Sequence, residues 1–522
     1  MRSIVPFVGI ALAALTGGCS ATPPHTSAGA ASPGGMTALH RQDIQWLERV
    51  TFGLDSADLA QYRRLGRAAY LERQLHPQSI TLPPPIAAEI GALDVTKIDV
   101  AARLADVNAR YQAANALAEG PEREQVRKDI GDTGNQLAYQ AIRRDVLRAV
   151  YSPAQLEEQM VWFWLNHFSV YQSKERLKWL VGDYEERAIR PHVFGHFRDL
   201  VLATLEHPAM LQYLDNQRNA AGHVNENYAR EILELHTLGV DGGYTQEDVQ
   251  NLARVLTGVG INTGDPPHLK PELQSLYVRR GAFEFNPGRH DFGPKVLFGR
   301  PVSGRGFDEV SAAVAAIVAR PACARFISSQ LATYFVADVP PPALVERMAS
   351  VFMHSDGDIT AVLRTLFMAP EFDSALGGKF KDPMRFVVSA VRFAYDGGAG
   401  GAGPAISNTR PILNWLNGLG EAPYGRTTPD GFPLTESHWA SSGQMSRRFE
   451  IARGIGAGNA GLFDTEDAAV GSGAGFPQLS NRLYFEAVEP FLSARTKQAL
   501  ARAATQQEWN TFLLSSPEFN YE

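Results

Sequence analysis

The segment at residues 225–239 (NENYAREILELHTLG) carries the densest group of side chains in this sequence that could bind a ligand or move a proton. On a helix, with about 100° between successive residues, its polar and apolar side chains fall on opposite arcs. The polar arc holds Glu226, Asn227, Arg230, Glu231, Glu234 and Thr237, and the apolar arc holds Tyr228, Ala229, Ile232, Leu233, Leu235 and His236. From the residues alone, this pattern is typical of a solvated helix face whose ion pairs contribute about 0.3–0.5 kcal/mol each.

A second segment, residues 160–170 (MVWFWLNHFSV), places two polar side chains among large apolar ones. Because it is apolar on every side, it predicts a buried helix. Asn166 and His167 must then find hydrogen-bond partners inside the protein. The residues alone leave two interpretations open: a hydrogen bond that fixes helix packing, or a place on the wall of a buried cleft.

Polar groups that could do chemistry also occur in predicted loops. Asp215 and Asn216 follow a helical stretch, and His290 and Asp291 lie on a predicted turn between two glycines. A late loop, TPDGFP, precedes Trp439. Loop residues of these types are common at functional sites, although most of them only form turns.

The sequence lacks the motifs of several common enzyme classes. It has no HExxH helix, no GxSxG elbow and no Walker-type phosphate loop. Two cysteines are too few for a typical structural zinc site. A net charge of -7 without a basic stripe argues against nucleic acid as a partner. A metal site built from His167, His223, His236 or His290 with acidic neighbours has less support than either catalysis by carboxylates or binding to a partner.

The elements that must position these residues are mostly helices. From Thr37 onward apolar residues recur at three- and four-residue steps, with a long run over 121–150. Residues 275–285 and 295–298 are the best strand candidates. We therefore predict a mainly α fold, a large multi-helical array with one or two small β-hairpins. Its main helical body covers 37–396, and a C-terminal helical part of the same domain covers 397–522.

The first nineteen residues predict an export leader. Arg2 supplies a positive charge, residues 4–15 are largely apolar, and small residues precede Cys19. We expect cleavage before Cys19 and lipid on that cysteine, with cleavage near residues 28–31 as the alternative. Residues 20–36 are rich in Ser, Ala, Pro and Gly, which predicts a flexible tether. Since Ser20 is not acidic, we expect an outer-membrane lipoprotein facing the periplasm or the cell surface.

Taken together, the segments resemble one bacterial family, Domain of Unknown Function 1800. The resemblance covers about 38–519 and rests on MVWFWLNHFSV, HPAMLQYLDN, NENYAREILELHTLGVDGGYTQEDV with ARVLTG, HDFGPKVLFG, SDGDITAVLRTLFMAPEF and the TPDGFP…W stretch. It implies an exported, mostly helical protein of the cell envelope. It also implies a possible partner, another exported protein encoded nearby, but no particular reaction and no cofactor.

The resemblance also changes the interpretation of the polar residues, because the NENYARE face belongs to the family's hallmark motif. The candidates for a cleft wall become Asn166, His167, Asp215, Asn216, Asn225, Glu226, Asn227, Arg230, Glu231, Glu234, His290 and Asp291.

Two classes of function stay open at this point. One is a hydrolase or lyase acting on an envelope or extracellular polymer such as a glycan, with Glu231 or Glu234 as the acid and Asp215 or Asp291 as base or nucleophile. In that case Trp164, Tyr244 and Trp439 would line the groove. The other is a non-catalytic binding or assembly protein that works with another exported protein.

Overall fold

Helices form most of the described chain because apolar residues recur at helical spacing, and the helices bury these residues against one another. The computed structural model describes residues 39–97, 99–398, 403, 405–464 and 476–522. Leu39–Glu522 forms one compact unit. The mainly α prediction is therefore confirmed, whereas the predicted leader, tether and lipid-bearing Cys19 lie outside the described residues.

The first part of the chain leads to the apolar helix that contains Asn166 and His167. Its helices are α1 (Arg41–Val50), α2 (Ser56–Leu65), α3 (Arg67–Leu75), α4 (Pro84–Ala92), α5 (Val100–Ala116), α6 (Pro121–Tyr151), α7 (Gln155–His167) and α8 (Val181–Asp183). The predicted long helix is α6, and Pro121 occupies its first turn, where the missing N–H is harmless.

The middle part contains the NENYARE segment and all five described strands. Its helices are α9 (Phe197–Glu206), α10 (Pro208–Tyr213), α11 (Asn227–Glu231), α12 (Gln246–Val255), α13 (Pro271–Gln274), α14 (Phe307–Val318), α15 (Pro321–Phe335), α16 (Pro342–His354), α17 (Ile359–Phe367), α18 (Pro370–Ala375) and α19 (Pro383–Ala394). Thr245 and Asp248 form a reciprocal capping box that begins α12. Asp358 caps α17 by accepting a hydrogen bond from the Ala361 N–H.

The last part continues with shorter helices. They are α20 (Arg410–Gly418), α21 (Glu436–Trp439), α22 (Ser442–Gly456), α23 (Arg482–Ala487), α24 (Ala494–Ala501), α25 (Gln506–Leu514) and α26 (Pro517–Asn520). In the part of the chain that the structure describes, no single helix has the length and apolarity to cross a membrane. Among these described helices only α14 and α15, joined with a bend of 68°, meet those criteria together.

Two small antiparallel sheets lie between α12 and α14. Their strands are β1 (Val259–Ile261), β2 (Val278–Arg280), β3 (Phe283–Phe285), β4 (Val296–Leu297) and β5 (Arg300–Pro301). The order of the first sheet is β1-β3-β2, and β4 pairs with β5. The β2–β3 hairpin turns at Gly281, which adopts φ +61°. The β2–β3 hairpin lies within the predicted segment 275–285 and β4 within 295–298, whereas β1 and β5 are strands that the sequence pattern did not indicate.

Two helical segments have the wider π-helical turn, Tyr184–Ile189 and Ile232–Thr237. The second continues directly from α11, so the NENYARE segment changes its helical geometry halfway along. Such π segments occur often at functional sites because they change the direction in which side chains project.

Candidate functional site

A cavity of about 170 Å³ lies beside the NENYARE segment. We call it the Glu234 cavity. It is lined by Phe163, Asn166, His167, Glu234, Leu235, Val240, Phe326, Gln330, Asp430, Phe432 and Leu434. These residues come from the end of α7, the π segment Ile232–Thr237, α15 and the loop at residues 421–435, which we call the strap.

The π turn decides which side chains face the cavity. Leu238 N donates to Leu233 O at 2.9 Å, and Thr237 Oγ1 donates to Ile232 O at 2.6 Å, each spanning five residues. The helical wheel places Leu235 on the apolar arc and Thr237 on the polar arc. That prediction is wrong past Ile232: Leu235 is partly exposed and lines the cavity, whereas Thr237 is fully buried. The extra residue per turn rotates the end of the helix.

Asn166 fastens the strap to α7. Its Nδ2 donates to Phe432 O at 2.9 Å, and Phe432 N donates to its Oδ1 at 2.6 Å. Gly431 adopts φ +72°, and a Cβ there would lie 2.3 Å from Asn166 O. Only glycine allows the strap to approach the helix this closely. Asn166 therefore both lines the cavity and holds the loop that forms its opposite wall.

Further bonds fix the two ends of the strap. Tyr213 Oη donates to Thr427 O at 3.0 Å, and Trp439 Nε1 donates to Pro433 O at 2.9 Å. Tyr424, with φ +55°, donates its Oη hydrogen bond to Asp145 Oδ2 at 2.9 Å. Trp439 is thus buried against the strap and does not line the cavity.

Two carboxylates that line the cavity, Glu234 and Asp430, lie close enough to Glu231 to affect its pKa. Burial raises the pKa of Glu231, and the negative charges of Glu234 and Asp430 raise it further. Burial alone would also raise the pKa of Asp430, but hydrogen bonds from Arg426 and Thr428 lower it. Arg426 Nη2 lies 2.7 Å from Asp430 Oδ2. The site therefore holds one carboxyl group that retains its proton more readily than usual and a neighbouring one that loses it more readily.

Two histidines lie on the apolar side of the cavity. His167 Nε2 donates to His236 O at 2.9 Å, and the two rings are 6.3 Å apart. Burial lowers the pKa of His167 to about 4 and that of His236 to about 3, where the charge of His167 contributes as well. Both imidazoles are therefore neutral near pH 7.

The remaining polar candidates of the NENYARE segment hold the local structure together. Asn225 Oδ1 accepts from Asn227 N at 3.0 Å, and Asn227 Nδ2 donates to Leu214 O at 3.2 Å. Glu226 accepts from Arg230 Nη2 at 3.2 Å on the partly exposed side of α11. This part of the motif makes turn contacts and a surface ion pair.

Asp215 and Asn216 lie beside this network. Asp215 adopts φ +60° and accepts from Lys174 Nζ at 2.9 Å. Asn216 is buried, and its Nδ2 donates to Leu256 O and Val259 O at 3.3 and 3.0 Å. Asn216 thus connects the loop to the start of the first sheet.

His290 and Asp291 belong to a separate buried cluster. His290 Nδ1 lies 2.7 Å from Thr257 O, and Asp291 accepts from Arg254 Nε and Nη2 at 2.8 and 3.2 Å. Hydrogen bonding to Arg254 lowers the pKa of Asp291 to about 2. Lys295 Nζ bonds Glu309 in the same cluster at 2.6 Å. None of these groups lines the Glu234 cavity.

The structure thus divides the sequence candidates into two groups. Asn166, His167 and Glu234 line one cavity, and Glu231 interacts with it electrostatically. The other candidates with described positions lie in hydrogen-bond networks or ion pairs outside it. Over the described ranges no three His, Cys, Asp or Glu side chains converge as metal ligands.

Asp430 is the residue that the sequence did not single out as chemical. Its segment, TPDGFP, carries part of the family resemblance, and that was the signal that could have indicated it. Its place opposite Glu231 depends on contacts such as Asn166–Phe432, which join positions 266 residues apart.

The comparison with family models gives one result. Residues 45–521 match the model described as "Protein of unknown function (DUF1800)". No curated protein and no solved structure matches the chain. Since the family match extends over nearly the whole sequence and contains every residue of the Glu234 cavity, the chain belongs to the DUF1800 family.

Proposed function

We propose that this protein is a cell-envelope hydrolase or lyase that cleaves a polymer such as a glycan on the surface beside the Glu234 cavity, where the half-buried Glu231 lies. Glu231 is the proton donor to the leaving oxygen, and Asp430 is the ionised partner that activates water or attacks the substrate. This arrangement retains Glu231 as the predicted acid. It assigns the second role to Asp430 rather than to Asp215 or Asp291, since Asp430 lines the Glu234 cavity and those two lie outside it.

The observation that carries the proposal is that Glu234 and Asp430 line one cavity and act on the neighbouring Glu231. The pKa of Glu231 is raised and that of Asp430 is lowered. Enzymes that use two carboxyl groups at one pH separate their acid and base roles in this way. Glu234 contributes by its charge, which favours the protonated form of Glu231.

The surroundings support the same assignment. Burial and the charges of Asp430 and Glu231 raise the pKa of Tyr213. Tyr244 Oη lies 3.5 Å from Glu234 Oε2. Asn166 holds the strap, so it positions Asp430 and does not itself move a proton.

An activity screen tests the proposal. Full-length protein is incubated with cell-wall sacculi and a panel of polysaccharides, and new reducing ends and new unsaturated sugar products are measured. We expect Glu231→Gln and Asp430→Asn each to lower the cleavage rate by at least about a hundredfold, because each removes one half of the acid–base pair. Above the raised pKa of Glu231 the wild-type rate should fall, since the donor is then ionised.

The matched control is Glu247→Gln, which changes an exposed glutamate on α12 and should leave the rate unchanged. Thermal unfolding of all variants shows whether they fold. Cleavage that persists in both site variants would contradict the assignment of Glu231 and Asp430.

We also propose that lipid on Cys19 anchors the protein to the envelope membrane, as its leader predicts. Cys19→Ala removes the thiol that would carry the lipid. The protein should then move from the membrane fraction to the soluble fraction. Fractionation of cells followed by immunoblotting measures this. Membrane association that survives the substitution would contradict the anchor.

A binding protein that works with another exported protein is the second candidate. Val240, at the edge of the Glu234 cavity, is 69 % exposed, and a partner bound over the cavity would bury this apolar side chain. Binding of a polymer or protein without any cleavage in the screen would support this candidate over the enzyme.

A further inference from the structure

A second cavity, with a partly apolar lining, shares none of its lining residues with the Glu234 cavity. It has a volume of about 370 Å³ and lies among α1, α19, α23, α25 and α26. This volume is in the range of small-molecule sites, about 300–1000 Å³. We call it the α1 cavity.

One wall of the α1 cavity is apolar. Leu54, Phe393 and Leu513 line it with exposures of 5 %, 2 % and 0 %. Leu492 and Phe519 extend the same apolar wall. Burying a hydrocarbon chain against such side chains is favourable.

The carboxylates in the lining already have partners inside the protein. Glu48 Oε1 accepts from the buried Lys381 Nζ at 2.6 Å. Glu518 accepts from Ser493 N and from Thr496 Oγ1, both at 2.8 Å. These two carboxylates therefore do not require a ligand to satisfy them.

Arg41 differs from them. It is exposed, it belongs to the same lining, and no hydrogen bond or ion pair to another described residue engages its guanidinium. The exposed Arg41 therefore marks the mouth of the cavity, beside the buried apolar wall. A cation at the mouth and apolar side chains inside the cavity fit a ligand with an anionic head group and a hydrocarbon chain.

We propose that the α1 cavity binds the chain of a single-chain fatty acid, with its carboxylate at Arg41. The hydrocarbon lies against Phe393 and Leu513, and the head stays at the solvent boundary. The site is independent of the polymer-cleaving site, so failure of one proposal leaves the other standing.

Isothermal titration of the full-length protein with C8, C10 and C12 fatty acids, below their micelle concentrations, tests the proposal. We expect affinity to rise about fourfold for each added methylene until the chain fills the cavity. Arg41→Gln should weaken fatty-acid binding about tenfold, since it removes a charge-assisted hydrogen bond, but should not change binding of the corresponding alcohols.

Two further variants complete the test. Ala487→Phe places a ring in the cavity from α23 and should abolish binding of both acids and alcohols. Arg64→Gln changes an exposed arginine on α2 and should have no effect. Affinity that is independent of chain length, or unchanged in both Arg41→Gln and a folded Ala487→Phe, would overturn the proposal.

Discussion

Glu185→Gln is expected to lower the free energy of unfolding by about 3–5 kcal/mol. Glu185 is fully buried, and its carboxylate accepts from Arg144 Nη2 at 2.7 Å and from Arg190 Nη2 at 2.8 Å. The amide keeps the shape of the side chain but removes its charge, so Arg144 loses its main counter-charge and Arg190 keeps only Glu158 of its two partners. A buried cation without its partner costs far more than an exposed one.

The same carboxylate supports the strap. Tyr424 Oη lies 3.3 Å from Glu185 Oε2 and 2.9 Å from Asp145 Oδ2. Burial and the charge of Glu185 hold the pKa of Asp145 well above its usual range. The loss of Glu185 should therefore loosen the strap as well as destabilise the core.

Urea unfolding at pH 7 measures the effect. The control is Glu175→Gln, because Glu175 pairs at 2.8 Å with Arg218, whose side chain is 67 % exposed. That variant should lose less than about 1 kcal/mol, as expected for a surface ion pair. If Glu185→Gln lowered the free energy of unfolding as little as Glu175→Gln, the buried ion pairs of Glu185 would not stabilise the fold.

Acid should destabilise the protein through His167 and His236. Their folded-state pKa values, about 4 and about 3, lie below the value near 6.5 expected when they are unfolded. Between these limits the unfolded chain binds more protons than the folded one, so stability is present above pH 6.5 and is lost as pH falls towards 4. For the two histidines together we expect a loss of about 3–5 kcal/mol between pH 7 and pH 4.5.

The measurement is the free energy of unfolding at several pH values between 7 and 4.5. In the double variant His167→Gln, His236→Gln the curve should be flatter than in the wild type over this range, even if the variant is less stable at pH 7. His354→Gln, at an exposed position on α16, should keep the wild-type slope. If the free energy of unfolding depended on pH identically in all three proteins, His167 and His236 would not be the cause of the acid destabilisation.

Local residue patterns were sufficient for much of the secondary structure. The long helix predicted over 121–150 is present as α6, and the side chains of Thr245 and Asp358 cap α12 and α17 through neighbouring residues. Caps and apolar periodicity depend on contacts within about four residues, so a single sequence contains the information. The strand β1 was missed, because its partner β3 is distant in sequence and no local turn marks the pair.

The sequence by itself determined the family, the mainly α class and the group of residues from which a site could be built. Only the tertiary structure decided which of them share a cavity. The NENYARE segment turns at Ile232 into a π helix, and Gly431 allows the strap to bring Asp430 towards Glu231. The physical reason is that the polar arc of a lone helix has no partner until distant segments pack against it. Burial and neighbouring charge then separate the proton affinities of residues that look alike in the sequence.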